Sequence, residues 1–188
     1  MTGRPLELPT LHCRRLTLRE WRNSDVAAVQ EASRDTHIPT FTTVPVTHGE
    51  PEALAFIARQ RDRLTTGAGY VFAIADAADE VVGHIGLFFA PGAGARASVG
   101  YWITSPHRRK GYAAEALGAL TEWALDRADL DRLELYVEPW NTRSWRAVEC
   151  AGYEREGLLR GWERIDGQPR DMFMHAQLTT AALSRRGG

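Results

Sequence analysis

The chain of 188 residues is 44% hydrophobic and 25% charged, with a formal net charge of −1, which suits one globular domain with its own core and excludes general adhesion to nucleic acid or anionic membrane. No apolar run reaches the length of a membrane span, and the opening MTGRPLELPT has no apolar signal core. Cys13 and Cys150 form no CxxC and the six histidines show no metal-ligand spacing, so neither a disulfide framework nor a metal site is expected, and reduced thiols point to a cytoplasmic setting.

RLTLREW, residues 15–21, alternates apolar and polar as a strand does. Asn23 or Ser24 can cap a short helix reaching about Ser33. Residues 35–49 are turn-rich and read as a loop. Glu50-Pro51 opens a second helix, with proline where its missing N–H does no harm; Ala53, Leu54, Ile57, Ala58 and Leu64 make its apolar face. Residues 70–76 and 81–90 read as paired strands around a short turn, PGAGAR as another turn, and ASVGYWI, 97–103, as a further strand. A helix to about Arg127 and a strand over 132–138 follow. NTRSWRAVECAG is a short helix with Asn141 as cap and Gly152 past its end. Strands over about 158–166 and 170–178 flank the turn DGQPR. There is no internal repeat and no domain linker. Strand 97–103, helix 112–127 and strand 132–138 form a βαβ unit, so its two strands are expected side by side and parallel in an otherwise antiparallel α+β fold.

The segment joining the first of those strands to the helix is SPHRRKGYAAEAL, residues 105–117. A helix start has unpaired N–H groups and partial positive charge, which together suit a phosphate. Gly111 permits close approach, Ala113 is nearly as small, and Arg108, Arg109 and Lys110 can neutralise a diphosphate. The segment is neither GxxxxGK[ST] nor GxGxxG. Alone it is also compatible with a solvated basic loop; the strand before it and the helix, strand and capped helix after it favour an anion cradle.

RRKGYA, Arg108 to Ala113, resembles the R/Q-x-x-G-x-G/A signature of the GCN5-related N-acetyltransferases (GNATs). GYWITSPHRRKGYAAEAL with NTRSWRAVECAGYEREGLLR is similar to their ribosomal-protein N-acetyltransferase-like branch, and the likeness runs from about RLTLREW to MFMHAQL. The resemblance implies a single acetyltransferase domain, 1–188, with a core of about 14–180 and short flexible ends. It implies a mostly antiparallel sheet with one parallel crossover, central strands that splay apart, and helices on both faces. It implies acetyl-CoA as acyl donor, no metal, and an amine acceptor: a protein or peptide N-terminus, or a small molecule such as a polyamine, amino acid or aminoglycoside. A monomer or homodimer is compatible with it.

On that resemblance, backbone groups near Trp102, Ile103 and Thr104 pair with the pantetheine arm. N–H groups from Arg109 through Lys110, Gly111 and Tyr112 to Ala113 hold the pyrophosphate, and Arg108 adds charge. Asn141 reaches a pantetheine amide, in competition with its role as helix cap. Ser144, one turn on, lies near the sulfur and helps protonate the leaving thiolate; a plain helix serine is the other reading. Attack by the amine is direct, with Cys150 a packed helix residue and not a nucleophile, and the N–H of Ile103 stabilises the oxyanion. Relatives often carry glutamate two residues before Gly-Tyr-Trp, where this chain has Ser98, so the base is open. His84 has a useful titration range, but a lone histidine in an apolar strand is more often structural; Glu20, Glu138 and relayed water are the others. Trp21, Phe41, Trp140, Tyr153 and Trp162 are candidates for an acceptor pocket or for core. A sensor that binds acyl-CoA without catalysis, and a nucleotide-binding module, are the alternative classes.

Overall fold

The computed structural model describes residues 7–90, 92–126 and 130–184. The elements run β1 (Leu11–His12), β2 (Thr17–Arg19), α1 (Val26–Ser33), α2 (Ile38–Phe41), α3 (Glu50–Thr65), β3 (Gly69–Ala75), β4 (Val81–Phe88), β5 (Arg96–Ile103), α4 (Tyr112–Leu125), β6 (Arg132–Val137), α5 (Thr142–Cys150), β7 (Glu154–Ile165), β8 (Gln168–Leu178) and α6 (Thr180–Ser184). The strands form one sheet in the order β1-β2-β3-β4-β5-β6-β8-β7. β5–β6 is parallel and the other pairings are antiparallel, the α+β topology expected from the βαβ unit.

Alternation along the strands builds two apolar layers. Tyr70, Phe72 and Ile74 of β3 and Val99 and Ile103 of β5 pack with α4 and α5. Val71, Ala73 and Trp102 face the other way, onto Trp21, α1 and α3. β3 is buried along its whole length, which is why it reads as a continuous apolar run.

Several boundaries differ from the sequence expectation, each for a local reason. The first strand is only Thr17–Arg19, paired through a tight turn (Cys13 N–H to Leu16 O, 2.8 Å) with Leu11–His12. The loop after α1 contains α2, because the Asp35 carboxylate accepts from the His37 and Ile38 amides at 2.9 and 3.1 Å and starts the turn. On α3 the buried residues are Ala53, Phe56, Ile57 and Gln60; Ala58 is exposed. β7 begins earlier than expected. It is an edge strand, exposed at all but two of its residues, and its charges guard the edge against further pairing, which blurs the alternation that marks a strand. The closing turn is only Asp166-Gly167, both left-handed at φ 50 and 74, the pattern of a two-residue hairpin. Cys150 is exposed at the end of α5, not packed. The expected flexible ends, and the helix end near Arg127, fall at least partly outside the described residues.

Candidate active site

β5 and β6 start as neighbours and then part. Arg96, Ala97 and Ser98 pair with Arg132, Leu133 and Glu134, and the pairing stops there. On their outer sides β5 stays bonded to β4 as far as Ile103, and β6 to β8 as far as Val137. The two strands therefore form a fork whose inner edges have backbone groups without a strand partner. Thr104 N–H bonds to Val82 O at 3.0 Å, so antiparallel alternation makes Val82/Thr104 and His84/Trp102 the hydrogen-bonded pairs. Trp102 thus directs its backbone groups to β4, while those of Tyr101 and Ile103 look into the fork. This corrects two expectations. Thr104, with its N–H and its hydroxyl both on Val82 O, and Trp102 are not the free groups; those of Tyr101 and the N–H of Ile103 are, the Ile103 carbonyl being taken by Arg108.

A cavity of about 1170 Å³ runs from the start of α4 through the fork to the α1–α3 side. Its wall includes Trp102, Ile103, Arg108, Arg109, Gly111, Tyr112, Ala113, Asn141, Ser144 and His84. At the α4 end, Gly111 stands at φ 79 with no side-chain cap, and Arg109 is left-handed too, at φ 64. Such a loop turns successive N–H groups inward. The first helical bond is Glu115 N–H to Gly111 O, 3.2 Å, so the N–H groups of Tyr112, Ala113 and Ala114 have no intrahelical acceptor. The cations differ from those expected. Arg108 turns away from the cradle: its Nε donates to Ile103 O at 3.0 Å and its Nη2 to Asp35 at 2.6 Å. Lys110 is exposed, its ammonium 5.9 Å from the centre of the Tyr112 ring. Arg15, from the β1–β2 turn, comes within 3.3 Å of where a Cβ on Gly111 would stand, paired with Glu115 at 2.7 Å. No motif marks Arg15; only the hairpin brings it there.

Asn141 caps α5, its Oδ1 accepting from Ser144 N–H at 3.2 Å. That bond uses the carbonyl side of the amide and leaves the NH₂ to donate into the cavity, so cap and ligand contact are compatible. Ser144 Oγ lies 2.8 Å from the Tyr101 hydroxyl, across the fork. Burial pushes the Tyr101 phenol up to about 12, outweighing the bond from Ser144, so it holds its proton at neutral pH. Period-2 alternation puts Tyr101 on the same face as Val99 and Ile103, and that was the available signal for it.

On the opposite face the fork is lined by the even-numbered residues. His84 stacks on Trp102 with centroids 5.5 Å apart and planes 6° apart, and its Nδ1 has no hydrogen-bond partner. Burial, with a smaller contribution from the Arg63 charge, pushes it down to about 3; the useful titration range expected of it is absent. Glu134, at the crotch of the fork, accepts from Arg132 Nε at 2.7 Å and Tyr136 hydroxyl at 2.8 Å. Burial alone would raise its pKa, but these partners hold it below the usual carboxylate range. Glu138, buried just past β6, also lines the cavity. It accepts from Trp140 Nε1 at 2.7 Å, with Arg170 at 3.8 Å. Glu20 is exposed and does not reach this cavity. His37 and Phe41 lie 5.3 and 6.3 Å from Trp140, centroid to centroid; Phe41 and Trp140 are 41% and 53% exposed, an aromatic rim. Trp162 is exposed and stacked on Tyr136. Trp21 and Tyr153 are core residues of opposite layers.

The profile of the acetyltransferase (GNAT) domain matches residues 15–154. The uncharacterised N-acetyltransferase p20 of Bacillus licheniformis is 29% identical over 172 residues, covering 91% of this chain and 97% of its own. Among solved structures, Mycobacterium smegmatis RimJ in complex with CoA-disulfide superposes with a TM-score of 0.80 at 25% identity, with 98% of each chain covered. The fold is also that of RimL, the ribosomal L7/L12 α-N-protein acetyltransferase in complex with coenzyme A, at a TM-score of 0.76 and 18% identity, covering 92% of this chain and 99% of that one.

Proposed function

Because this chain belongs to the acetyltransferase (GNAT) domain family and is an N-acetyltransferase of it, we propose that it transfers the acetyl group of acetyl-CoA directly to the α-amine of a protein or peptide N-terminus. The residues present fit the donor. Three unpaired amides at the start of α4, a glycine where a Cβ would crowd Arg15, and the Arg109 and Lys110 charges suit a diphosphate. The Tyr101 and Ile103 edge suits an extended amide-bearing arm, and the Asn141 NH₂ supplies a further donor. When bound, acetyl-CoA supplies an activated thioester. Ile103 N–H can stabilise the oxyanion that develops on the carbonyl. Tyr101, protonated, bonds Ser144, and Ser144 can pass its proton to the departing sulfur and regain one through Tyr101, while the proton lost by the attacking amine goes to water, so that the thiol and the amide leave with the pair restored. Glu138 can hold the incoming ammonium beneath the aromatic rim.

The choice of acceptor rests on one observation: His84, the histidine buried on the acceptor side of the fork, is pushed down to about 3 and is a poor base there. At pH 7 deprotonation costs about 4.6 kcal/mol for a lysine ammonium of pKa near 10.4, but only about 1–1.4 kcal/mol for an α-ammonium of 7.7–8.0. A site whose buried histidine is so weak a base favours the second. Matched peptides test this, one with a free α-amine and blocked lysine, the other the reverse, assayed from pH 6 to 9. α-Amine acetylation should dominate at pH 7 and rise as the α-ammonium loses its proton, with no inflection from His84 near 6.5. Dominant lysine acetylation at pH 7 would refute the reading.

A further inference from the structure

On the acceptor face β4 and β5 leave a hollow. Gly86 and Gly100 are a cross-strand pair, and Phe88 folds its ring back over both: a Cβ would come within 2.5 Å of that ring at Gly86 and 3.3 Å at Gly100. Arg63, in the last turn of α3, lies over the ring at 5.0 Å from its centre. Its Nε donates to Gln60 Oε1 at 3.3 Å, and among the described residues no carboxylate pairs with it. Gln60, 3% exposed, is itself fixed by donating to Phe56 O at 3.1 Å. His84, two residues along β4 from Gly86, is buried, neutral, and without a partner at Nδ1. Arg63, Gln60, His84, Phe88 and Gly100 all belong to the cavity wall, as does Glu138. The acceptor side thus holds the Glu138 carboxylate near the reacting end and, further in, the Arg63 guanidinium, which no carboxylate of the described residues pairs.

We propose that Arg63, backed by Gln60 and His84, is a subsite for a carboxylate carried by the acceptor near its amine. A guanidinium resting on an aromatic face keeps its planar fork oriented, and a carboxylate matches that fork with two hydrogen bonds. Neutral His84 adds a polar edge without competing charge. Gly100 lies three strand residues before Ile103, roughly 10 Å, and an extended peptide advances about 3.3–3.6 Å per residue. An amine at the level of Ile103 therefore places the second or third residue of a peptide beside Arg63. The inference rests on the α-amine reading and narrows it to acceptors with an acidic second or third residue, or to short peptides whose own C-terminal carboxylate falls there.

The test uses the full chain and peptides of the forms Ala-Asp-Ala-Phe-amide, Ala-Asn-Ala-Phe-amide and free-acid Ala-Ala-Ala. Turnover with acetyl-CoA is measured, and so is binding to the CoA-loaded protein by calorimetry. The acidic side chain or the free carboxylate should raise kcat/KM by about tenfold or more over the Asn peptide, in line with a hydrogen bond to a charged group. Arg63→Gln should erase that preference while leaving the KM for acetyl-CoA unchanged, and Arg63→Lys should restore part of it. Preference for the Asp peptide alone, or for the free acid alone, identifies which carboxylate is read. Equal handling of acidic and neutral peptides, or a preference that survives in Arg63→Gln, overturns the subsite. Acidic peptides that bind preferentially through Arg63 without being acetylated would leave the subsite standing and refute α-amine transfer. Peptides that show neither selective binding nor selective turnover refute the subsite.

Discussion

At the residue scale, Asn141 and the Tyr101–Ser144 pair show how one side chain carries two duties. The Asn141 carbonyl oxygen caps α5, which leaves the NH₂ of this cavity-wall residue to the donor in the proposed site, so two substitutions separate the duties. Asn141→Asp keeps the capping oxygen and loses the donor, so it should leave the melting temperature nearly unchanged and raise the KM for acetyl-CoA. Asn141→Ala should raise that KM and also lower stability by about 1 kcal/mol. Melting curves beside acetyl-CoA titrations distinguish them. In the proposed reaction Ser144 and Tyr101 act on the departing sulfur and not on binding. Ser144→Ala and Tyr101→Phe should both lower kcat, Ser144→Ala by about 100-fold, the low end for a general acid acting on a thiol leaving group of moderate pKa, with the KM for acetyl-CoA little changed. Combining them should add little, because they form one path.

At the element scale the decisive link is Arg108, which straps the start of α2 to the end of β5 through Asp35 and Ile103 O. The Asp35 carboxylate is 6% exposed. Burial would raise its pKa, but the His37 and Ile38 amides and then Arg108 outweigh this and lower it. A carboxylate depressed in the folded state contributes stability above its unfolded pKa, near 3.9, and loses it as pH falls through the lower folded value. Arg108→Ala removes one of the lowering partners, so it should move acid unfolding to higher pH. It should also disturb the acceptor wall formed by α2, raising the KM for the peptide more than that for acetyl-CoA. A circular-dichroism acid titration with paired KM measurements checks both. A large loss of acetyl-CoA affinity with unchanged acid unfolding would return Arg108 to the pyrophosphate.

At the scale of the whole molecule, the fork is possible because each of its strands keeps a partner on the outer side, so opening the centre does not unravel the sheet. The cavity passes between the α4–α5 layer and the α1–α3 layer, and a ligand filling it ties the two together. Acetyl-CoA at a hundred times its Kd should add about 2.7 kcal/mol, a rise of roughly 5–11 °C at about 2–4 °C per kcal/mol for a chain of this size. ATP and NAD, which lack the pantetheine arm, should shift it less. Gly111→Asp should abolish the acetyl-CoA shift, since it sets a carboxylate among amides that face a diphosphate. Its cost to the free protein should stay near 1–2 kcal/mol for a left-handed position. Thermal melts of both proteins with the three ligands test this, and an undiminished shift in Gly111→Asp would remove the cradle from the donor site.

The strand 97–103, the helix after Gly111, the strand from 132 and the capped helix at Asn141 could be read from the sequence because each is written in a local period or a cap within a few residues. Their order alone required the parallel pair, since a short βαβ crossover admits little else. The left-handed Gly111 at the start of the helix was readable for the same reason, whereas the cation beside it was not: Arg108 turns to Asp35 and Arg15 arrives from the β1–β2 turn. Four features depended on the tertiary structure. Arg108 meets Asp35 across 73 positions, and Tyr101 meets Ser144 across 43. The pairing of β5 and β6 ends at Ser98. His84 lost its titration range when Trp21, Phe56 and Trp102 closed around it. Periodicity records which face of an element is buried; it does not record what another element, tens of residues away, brings to that face. Charges, hydroxyls and imidazoles take their roles from those neighbours, and packing alone chooses them.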